Sequence, residues 1–180
     1  MNIFALSENP WRAAQMHCDK HVPKMVVELF QMMGSAVRRN GATDGMMPLT
    51  QKGTPLKGGY HNHPCTRWVG DCRGNYIYTH TMATELCAEY TRRFGKKHSC
   101  EYGIGQLGQA RFYELLPVND RAGKRTPFAQ AMPDQYKHED GVEAYRRYYA
   151  EDKAINIQFE YNRGREMPRW LKERLTLSED

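Results

Sequence analysis

The sequence predicts a mainly α, compact single-domain helical bundle with long loops. Two long stretches place apolar residues at helical spacing, whereas only residues 155–161 alternate as a strand does. The length of 180 residues suits one domain, which buries roughly 70% of the surface that its unfolded chain exposes. Since no repeat and no linker-like stretch divides the chain, residues 1–180 are predicted to form one helical domain.

The first half of the chain carries both long helical patterns. Asn9 followed by Pro10 is typical of a helix start, which predicts a short helix to residue 16, and Asn2–Leu6 before it is a candidate short strand. With Asp19 as N-cap, apolar residues share one broad face to about residue 39. Residues 40–62 are rich in glycine and predict a long loop. A second helical region starts at residue 63, is interrupted near 70–74, and continues from 75 to 94, with Glu89 on its polar side.

The second half predicts shorter elements. Residues 109–116 form a helix that Pro117 ends, and residues 140–152 form another. The alternation over 155–161 predicts a strand, with a continuing helix as the alternative. Residues 168–174 form a terminal helix.

The charge balance is modestly basic. The chain has 26 Lys and Arg against 21 Asp and Glu, a net charge of +5, with 40% hydrophobic residues. This composition excludes a disordered acidic chain and a membrane protein, and it favours an anionic partner such as DNA or a nucleotide phosphate. The first ten residues hold no basic region and only a short apolar run, so they predict neither a signal peptide nor a membrane anchor. Five cysteines without a C-x-x-C pair indicate reduced thiols in a cytoplasm.

A polar stripe on the first long helix is the main candidate site. It consists of His21, Lys24, Glu28 and Gln31, with Asp19 and Lys20 at its N-terminal end. A lone carboxylate among amine, imidazole and amide groups is typical of a general base or an electrostatic stabiliser. The helix N-terminus also favours a phosphate. The alternative is the solvated face of an amphipathic helix.

A second cluster spans residues 60–68. Potential metal ligands occur at positions 61, 63 and 65, but their spacing does not match the usual zinc pairs, so neither a metal nor a cofactor is predicted. His63 followed by Pro64 is a normal helix start. The functional alternative places Asn62, His63 and Trp68 beside the polar stripe as substrate-binding residues.

A basic loop followed by a proline-bracketed segment forms the third candidate. Arg121, Lys124 and Arg125 are candidates for phosphate contacts. The segment 126–133 (TPFAQAMP) is expected to be extended and rigid. Phe128 within it either packs into the core or wedges against a base.

Several strings resemble a family of small phage-encoded proteins. They are residues 13–28 (AAQMHCDKHVPKMVVE), 62–64 with Trp68, 75–76, 89–90, 93, 95–96 and 126–133. The likeness covers nearly the whole chain. It implies a phage protein in the bacterial cytoplasm and no particular activity.

A second resemblance is to the pyrimidine dimer DNA glycosylases of the phage endonuclease V type. His21 and Glu28 have the family's seven-residue spacing on an early helix, and His63-Pro64 is similar to the His-Pro that opens a later helix in cellular members. The resemblance implies a compact helical enzyme with Glu28 as catalytic glutamate and, as catalytic amine, the α-amino group exposed when methionine is removed. In this chain Asn2 is bulky enough to leave Met1 in place, and Gln31 stands where the family has an arginine.

Three function classes follow. The first is a glycosylase-like phage DNA-processing enzyme acting on a damaged or modified base, with Glu28, His21 and Lys24 as catalytic residues and Lys24 or Lys20 as the amine nucleophile. Its predicted substrate-binding residues are Asp19, Lys20, Gln31, Asn62, His63, Trp68, Arg121, Lys124, Arg125 and Phe128. The second is a non-catalytic phage binder that sequesters a nucleotide signal or nucleic acid. A protein-binding inhibitor of a host enzyme is a third alternative.

Overall fold

The computed structural model describes residues 1–120 and 123–177, and this part of the chain is mainly helical with no strand. The predicted fold class is therefore confirmed. The α-helices are α1 (Pro10–Gln15), α2 (His21–Arg39), α3 (Pro64–Asp71), α4 (Arg73–Phe94), α5 (Glu101–Leu107), α6 (Ala110–Leu115), α7 (Gly141–Tyr148), α8 (Ala154–Ile157) and α9 (Arg169–Leu177). A π-helical turn, Tyr149–Lys153, joins α7 to α8, and short 3₁₀ turns lie at Asp44–Met46 and Asp134–Tyr136.

The two long helices form the centre of the molecule. α2 packs against α4, α1 packs on α4, and α3 packs on α2. The apolar face predicted for α2 is buried, for example at Met25, Leu29 and Met33. Its apolar spacing therefore gave the right helix, because one continuous face meets α4.

The helical segment α5 was not predicted. Glycines in residues 103–108 disfavour a helix in isolation. Here Gly103 lies against Phe30, and a Cβ atom at that position would come within 2.6 Å of the ring. The close approach of α5 to α2 therefore explains the glycine.

The predicted N-cap of α2 is wrong. Lys20 occupies that position without a side-chain cap, whereas Asp19 is buried and accepts hydrogen bonds from Arg93 (3.1 Å) and from the backbone N–H of Asn162 (2.9 Å). Asp19 thus ties the start of α2 to α4 and to the chain after α8.

Glu89, which the helical spacing places on the polar side of α4, is not exposed. Its side chain is fully buried, and its carboxylate accepts from Arg93 (2.9 Å) and Arg165 (2.6 Å) and pairs with Arg92. The guanidinium of Arg93 also donates to the backbone oxygens of His17 (2.7 Å) and Gln15 (3.0 Å). We call Asp19, Glu89, Arg93 and Arg165 the buried ion cluster.

The predicted strand over residues 155–161 is wrong as well. The helix continues to Ile157 and ends at Gln158, whose φ of +54° is left-handed. The chain then returns to the start of α2, where the N–H of Asp19 donates to Glu160 O at 2.9 Å. The apolar alternation reflects a helix end followed by an extended segment that packs on α2.

The predicted N-terminal strand is absent from the described residues, although the segment Asn2–Leu6 is buried. Phe4, at a φ of +37°, stacks between the ring of His21 (5.2 Å between centroids) and that of Tyr148 (6.0 Å). Leu6 O accepts from Arg146 at 3.0 Å. The core therefore encloses the start of the chain and positions Met1 and Asn2 beside α2.

Two buried histidines lie beside this segment. Burial lowers the pKa of His17 to about 4 and that of His21 to about 3. Each ring uses Nδ1 in a hydrogen bond, His17 with Ala13 O (2.8 Å) and His21 with Tyr149 OH (3.0 Å), while each Nε2 is buried without a partner among the described residues. Both rings are therefore neutral in the folded protein near pH 7.

The burial of these two rings predicts that acid destabilises the fold. In the unfolded chain histidine binds a proton near pH 6.5, whereas the folded chain excludes it until about pH 4 to 3. The two neutral rings thus stabilise the fold fully above pH 6.5, and this stabilisation is lost as the pH falls from 6.5 towards 4 to 3. We expect the free energy of unfolding, from urea titrations, to drop by about 2 to 3 kcal/mol between pH 7 and 5.5.

Replacing both His17 and His21 with glutamine is the control for this expectation. Whatever its stability at pH 7, the double variant should lose much less stability over the same interval. An unchanged pH dependence in the variant would contradict the assignment to these rings. Burial also lowers the pKa of His80 and His98, so a residual slope of the same sign is expected.

No described helix is both long and apolar enough to cross a membrane.

Candidate active site

Glu28 on α2 meets the first residues of the chain. Its Oε2 accepts the backbone N–H of Asn2 at 2.9 Å, and the α-amino nitrogen of Met1 lies 4.0 Å from the same oxygen. Nζ of Lys24, one turn earlier on α2, lies 3.6 Å from Oε1. The carboxylate side chain is 14% exposed. One partly shielded carboxylate thus faces two amines, and one of its oxygens accepts a backbone N–H.

Asn2 and Met1 are held firmly in this position. The amide of Asn2 donates to Ala131 O at 2.9 Å, and its Oδ1 accepts the N–H of Ile3 at 2.8 Å. The side chain of Met1 is 1% exposed, and its sulfur accepts the hydroxyl of Thr66 at 3.6 Å. The amino group is therefore a fixed part of the site.

His63, the N-cap of α3, interacts electrostatically with the same carboxylate. Its Nδ1 accepts the N–H of Cys65 at 3.2 Å, which caps the helix. The pKa of His63 is lowered, mainly by burial and further by the α-amino group, while Glu28 opposes the shift. His63 is thus within electrostatic reach of both groups, and the exposed Asn62 precedes it in the chain.

Gln31 lies one turn beyond Glu28 and supports the loop that precedes α3. A Cβ atom on Gly59 would lie 3.2 Å from Gln31 Oε1. Ser35 Oγ donates to Gly59 O and accepts its N–H, both at 2.8 Å. These contacts dock residues 56–63, which we call the glycine loop, on α2.

The structure separates the other residues of the predicted polar stripe from Glu28. His21 is buried against Phe4 and Tyr149, so its ring belongs to the core. Lys20 donates to the backbone oxygens of Ile157 (3.0 Å) and Gln158 (3.3 Å). Asp19 is part of the buried ion cluster. Of the stripe, Lys24, Glu28 and Gln31 remain together.

The residues predicted around Trp68 form a second group. Trp68 and Phe128 are buried with ring centroids 5.4 Å apart, and the indole N–H donates to Pro127 O at 2.8 Å. The guanidinium of Arg125 lies 3.8 Å from the Phe128 ring centroid and pairs with Glu8. Phe128 therefore packs into the core, which was the alternative to a wedge.

Arg125 and Phe128 of this group line a cleft of about 800 Å³, together with Lys124, Trp11 and Ile77. Segment 126–133 connects this cleft to the Glu28 site, because the backbone oxygen of Ala131 accepts a hydrogen bond from the Asn2 side chain. Arg121 lies outside the described residues.

The potential metal ligands at 61, 63 and 65 do not converge. Within residues 1–120 and 123–177, no group of three His, Cys, Asp or Glu side chains is arranged to hold a metal ion. Cys65 is buried near Tyr145, and burial raises the pKa of its thiol.

Sequence reasoning missed the local charge around Glu28. Residues 20–72 hold seven Lys or Arg and three Asp or Glu, and thus most of the chain's net charge of +5. The acidic residues Asp44 and Asp71 pair with Arg38 and Arg39. The net charge counted over residues 20–72 reveals this basic region, whereas the clusters of basic residues near the C-terminus do not.

Comparison with known proteins identifies a family. A family model described as pyrimidine dimer DNA glycosylase matches residues 1–102, more than half of the chain. The matched range includes α1 to α4 and thus Met1, Lys24, Glu28 and His63. Neither the search of curated proteins nor that of solved structures gives a match.

Proposed function

Because this chain belongs to the pyrimidine dimer DNA glycosylase family, we propose that it cleaves the N-glycosidic bond of a damaged base in DNA, with Glu28 and the terminal amine as its reacting groups. The observation that carries the proposal is the meeting of these groups at Oε2 of Glu28. The Asn2 N–H lies at 2.9 Å and the Met1 amino nitrogen at 4.0 Å.

The reaction proceeds by attack of the neutral amine on C1′ of the deoxyribose. A C–N bond to the protein forms, and the glycosidic bond breaks with its electron pair leaving on the base, which is protonated by water. Glu28 accepts a proton from the attacking nitrogen and returns it to O4′ as the sugar ring opens to an imine. General acid–base transfer of this kind requires a carboxylate within hydrogen-bond reach of the amine, directly or through one water.

Three nitrogens compete for the role of nucleophile. With methionine retained, the terminal amine is that of Met1. With methionine removed, it is that of Asn2, whose nitrogen is already beside Glu28. Lys24 is the third, but its side chain is 54% exposed and only its ammonium approaches the carboxylate. Because a bulky Asn2 leaves Met1 in place and the Met1 side chain is buried, we propose the amino group of Met1 as the nucleophile.

Two elements that pack on α2 carry exposed cations that suit a DNA backbone. Lys57 lies in the glycine loop and Arg67 on α3, and both are exposed. Within the part of the chain that the structure describes, no carboxylate lies within ion-pair distance of either. Together with Lys24 they favour phosphate contacts, which contribute affinity without sequence readout.

Borohydride trapping tests the proposal. Incubation with a duplex that carries one thymine dimer is expected to yield a covalent protein–DNA adduct, because borohydride reduces the imine to a stable amine. Digestion and mass spectrometry should place the adduct on the peptide that starts at Met1. The undamaged duplex should give none, and Lys24→Met should keep the adduct.

The alternatives give different results. An adduct on Lys24 would contradict the assignment of the terminal amine as nucleophile but would still support glycosylase activity. An adduct on Asn2 would show that methionine is removed. Neither base release nor adduct on damaged duplexes, with nucleotides bound and returned unchanged, would favour the non-catalytic binder.

A further inference from the structure

The hydroxyl of Tyr145 on α7 is a buried polar group that the proposed reaction does not use. The residue is fully buried, and its hydroxyl donates to the backbone oxygen of Ala129 at 2.5 Å. The tyrosine oxygen also lies 3.6 Å from Sγ of Cys65, at the start of α3. Because a buried hydroxyl requires a hydrogen-bond partner, this one attaches segment 126–133 to α7.

The chain after Ala129 carries its position over to Ala131. The side chain of Gln130, between them, donates to His138 O at 2.6 Å and accepts the His138 N–H at 3.0 Å. These two bonds join positions only 8 apart, so they stiffen the loop without attaching it to a long helix. Since two residues of chain span at most about 7 Å, a shift at Ala129 is passed on to the backbone oxygen of Ala131.

Ala131 in turn positions Asn2, the residue whose backbone lies beside Glu28. The backbone oxygen of Ala131 accepts the side-chain amide of Asn2 at 2.9 Å, and the Asn2 N–H donates to Glu28 Oε2 at 2.9 Å. The amino nitrogen of Met1, 4.0 Å from the same oxygen, is one residue away along the chain. A continuous series of contacts thus runs from the Tyr145 hydroxyl to the terminal amine.

The ring and the hydroxyl of Tyr145 make separate contacts with the start of the chain. The ring packs edge-on against Phe4, with 6.2 Å between the centroids. The hydroxyl faces Cys65, whose Sγ lies 3.9 Å from Asn2 Oδ1. Replacement of the tyrosine by phenylalanine therefore keeps the ring contact and removes only the polar ones.

We infer that Tyr145 is a positioning residue for the terminal amine, which it places through Ala129, Ala131 and Asn2. The inference rests on the proposed glycosylase function, because the place of the amine matters only if the amine attacks C1′. Attack requires the two reacting atoms to be roughly 3–3.5 Å apart and aligned, and a displacement of about 1 Å costs about 10²-fold in rate. Because Tyr145 is fully buried, it acts on the reaction only through its neighbours.

Tyr145→Phe tests this role, because it removes one hydroxyl and keeps the ring. On a duplex with a single thymine dimer, we expect base release under single-turnover conditions to slow by about 5- to 50-fold, less than a full 1 Å displacement costs. The Kd for the same duplex should stay within about twofold, because the buried hydroxyl contacts no phosphate. A residue that only stabilises the fold would leave the rate per folded molecule unchanged.

Tyr76→Phe is the matched control. Tyr76 on α4 is also fully buried, and its hydroxyl donates to the backbone oxygen of Leu107 in α5 at 3.0 Å. Both variants deprive a buried carbonyl of a donor, so each should lower Tm by roughly 2 to 10 °C. Only Tyr145→Phe should also slow base release, because the Tyr76 hydroxyl holds α5 instead of the loop that contacts Asn2.

A double-mutant cycle with Asn2→Leu tests the route from Tyr145 to the amine. Leucine is of similar size to asparagine and leaves Met1 in place, but it cannot donate to Ala131. Asn2→Leu alone should slow base release at least as much as Tyr145→Phe does. In the Asn2→Leu background, Tyr145→Phe should slow the reaction by less than about twofold further, because the two changes break the same series of contacts.

The outcomes are distinct. Base release by the unaltered protein combined with an unchanged single-turnover rate for Tyr145→Phe would overturn the positioning role and leave the glycosylase intact. Equal slowing by Tyr76→Phe would also overturn it, and so would effects of Asn2→Leu and Tyr145→Phe that multiply in the double variant. If the unaltered protein releases no base, the proposed function and this inference fall together.

Discussion

Glu28→Gln is expected to lower the rate of base release from a dimer-containing duplex by about 10²- to 10⁴-fold, the usual contribution of a positioned general acid or base. Glutamine keeps the size of the side chain and an oxygen for the Asn2 N–H, but it cannot accept a proton from the amine. The rate under single-turnover conditions measures this step free of product release.

Two controls accompany Glu28→Gln. Thermal unfolding should be nearly unchanged, because the isosteric amide still accepts from Asn2. DNA affinity should be equal or slightly tighter, because one negative charge near the phosphates is removed. A variant that folds normally, binds the duplex and releases the base at the rate of the unaltered protein would rule out the role of Glu28.

Arg93→Met is expected to destabilise the fold by about 3–5 kcal/mol, the cost of leaving buried charges without their partner. The guanidinium is fully buried, where it bridges Glu89 on α4 to Asp19 and to the backbone oxygen of His17. Burial lowers its pKa, and Asp19 opposes that shift. Methionine preserves much of the volume but leaves the carboxylate of Asp19 with no cation at ion-pair distance among the described residues.

Urea denaturation measures this loss, and Arg169→Met supplies the comparison. Arg169 pairs with Glu173 on the surface of α9, and exposed pairs contribute little. Its replacement should therefore change the free energy of unfolding by only a few tenths of a kcal/mol. If Arg93→Met were no more destabilising than Arg169→Met, the buried ion cluster would not hold α2 to α4.

The long helices were predictable because their signal is local. The apolar spacing of α2 depends on residues within a few turns, and it yields residues 19–39 against the observed His21–Arg39. The buried ion cluster was not predictable, because a helical projection assigns Glu89 to the surface by its charge. Its burial depends on Arg165, which is 76 positions away in the chain.

The candidate site likewise has a part that local spacing predicts and a part that depends on distant residues. Helical spacing alone places Lys24, Glu28 and Gln31 on one stripe, and in the structure Lys24 Nζ lies 3.6 Å from Glu28 Oε1. His21 has the same spacing but turns into the core, because Phe4 stacks on it. The terminal amine entered the sequence analysis only through the family resemblance, and Lys24 or Lys20 was preferred as the nucleophile. The place of the amine beside Glu28 depends on how the buried segment Asn2–Leu6 runs through the molecule, which no local pattern reveals.

The burial of the first residues also sets when the site can exist during synthesis. Asn2 is held beside Glu28 through Ala131, and Phe4 is held by Tyr148, so the partners of the first residues leave the ribosome long after them. A nascent chain that has made α2 already carries Glu28 but lacks these supports. The arrangement of Glu28 with the terminal amine therefore forms only once the second half of the chain is made, and prematurely terminated products carry the carboxylate without a positioned amine.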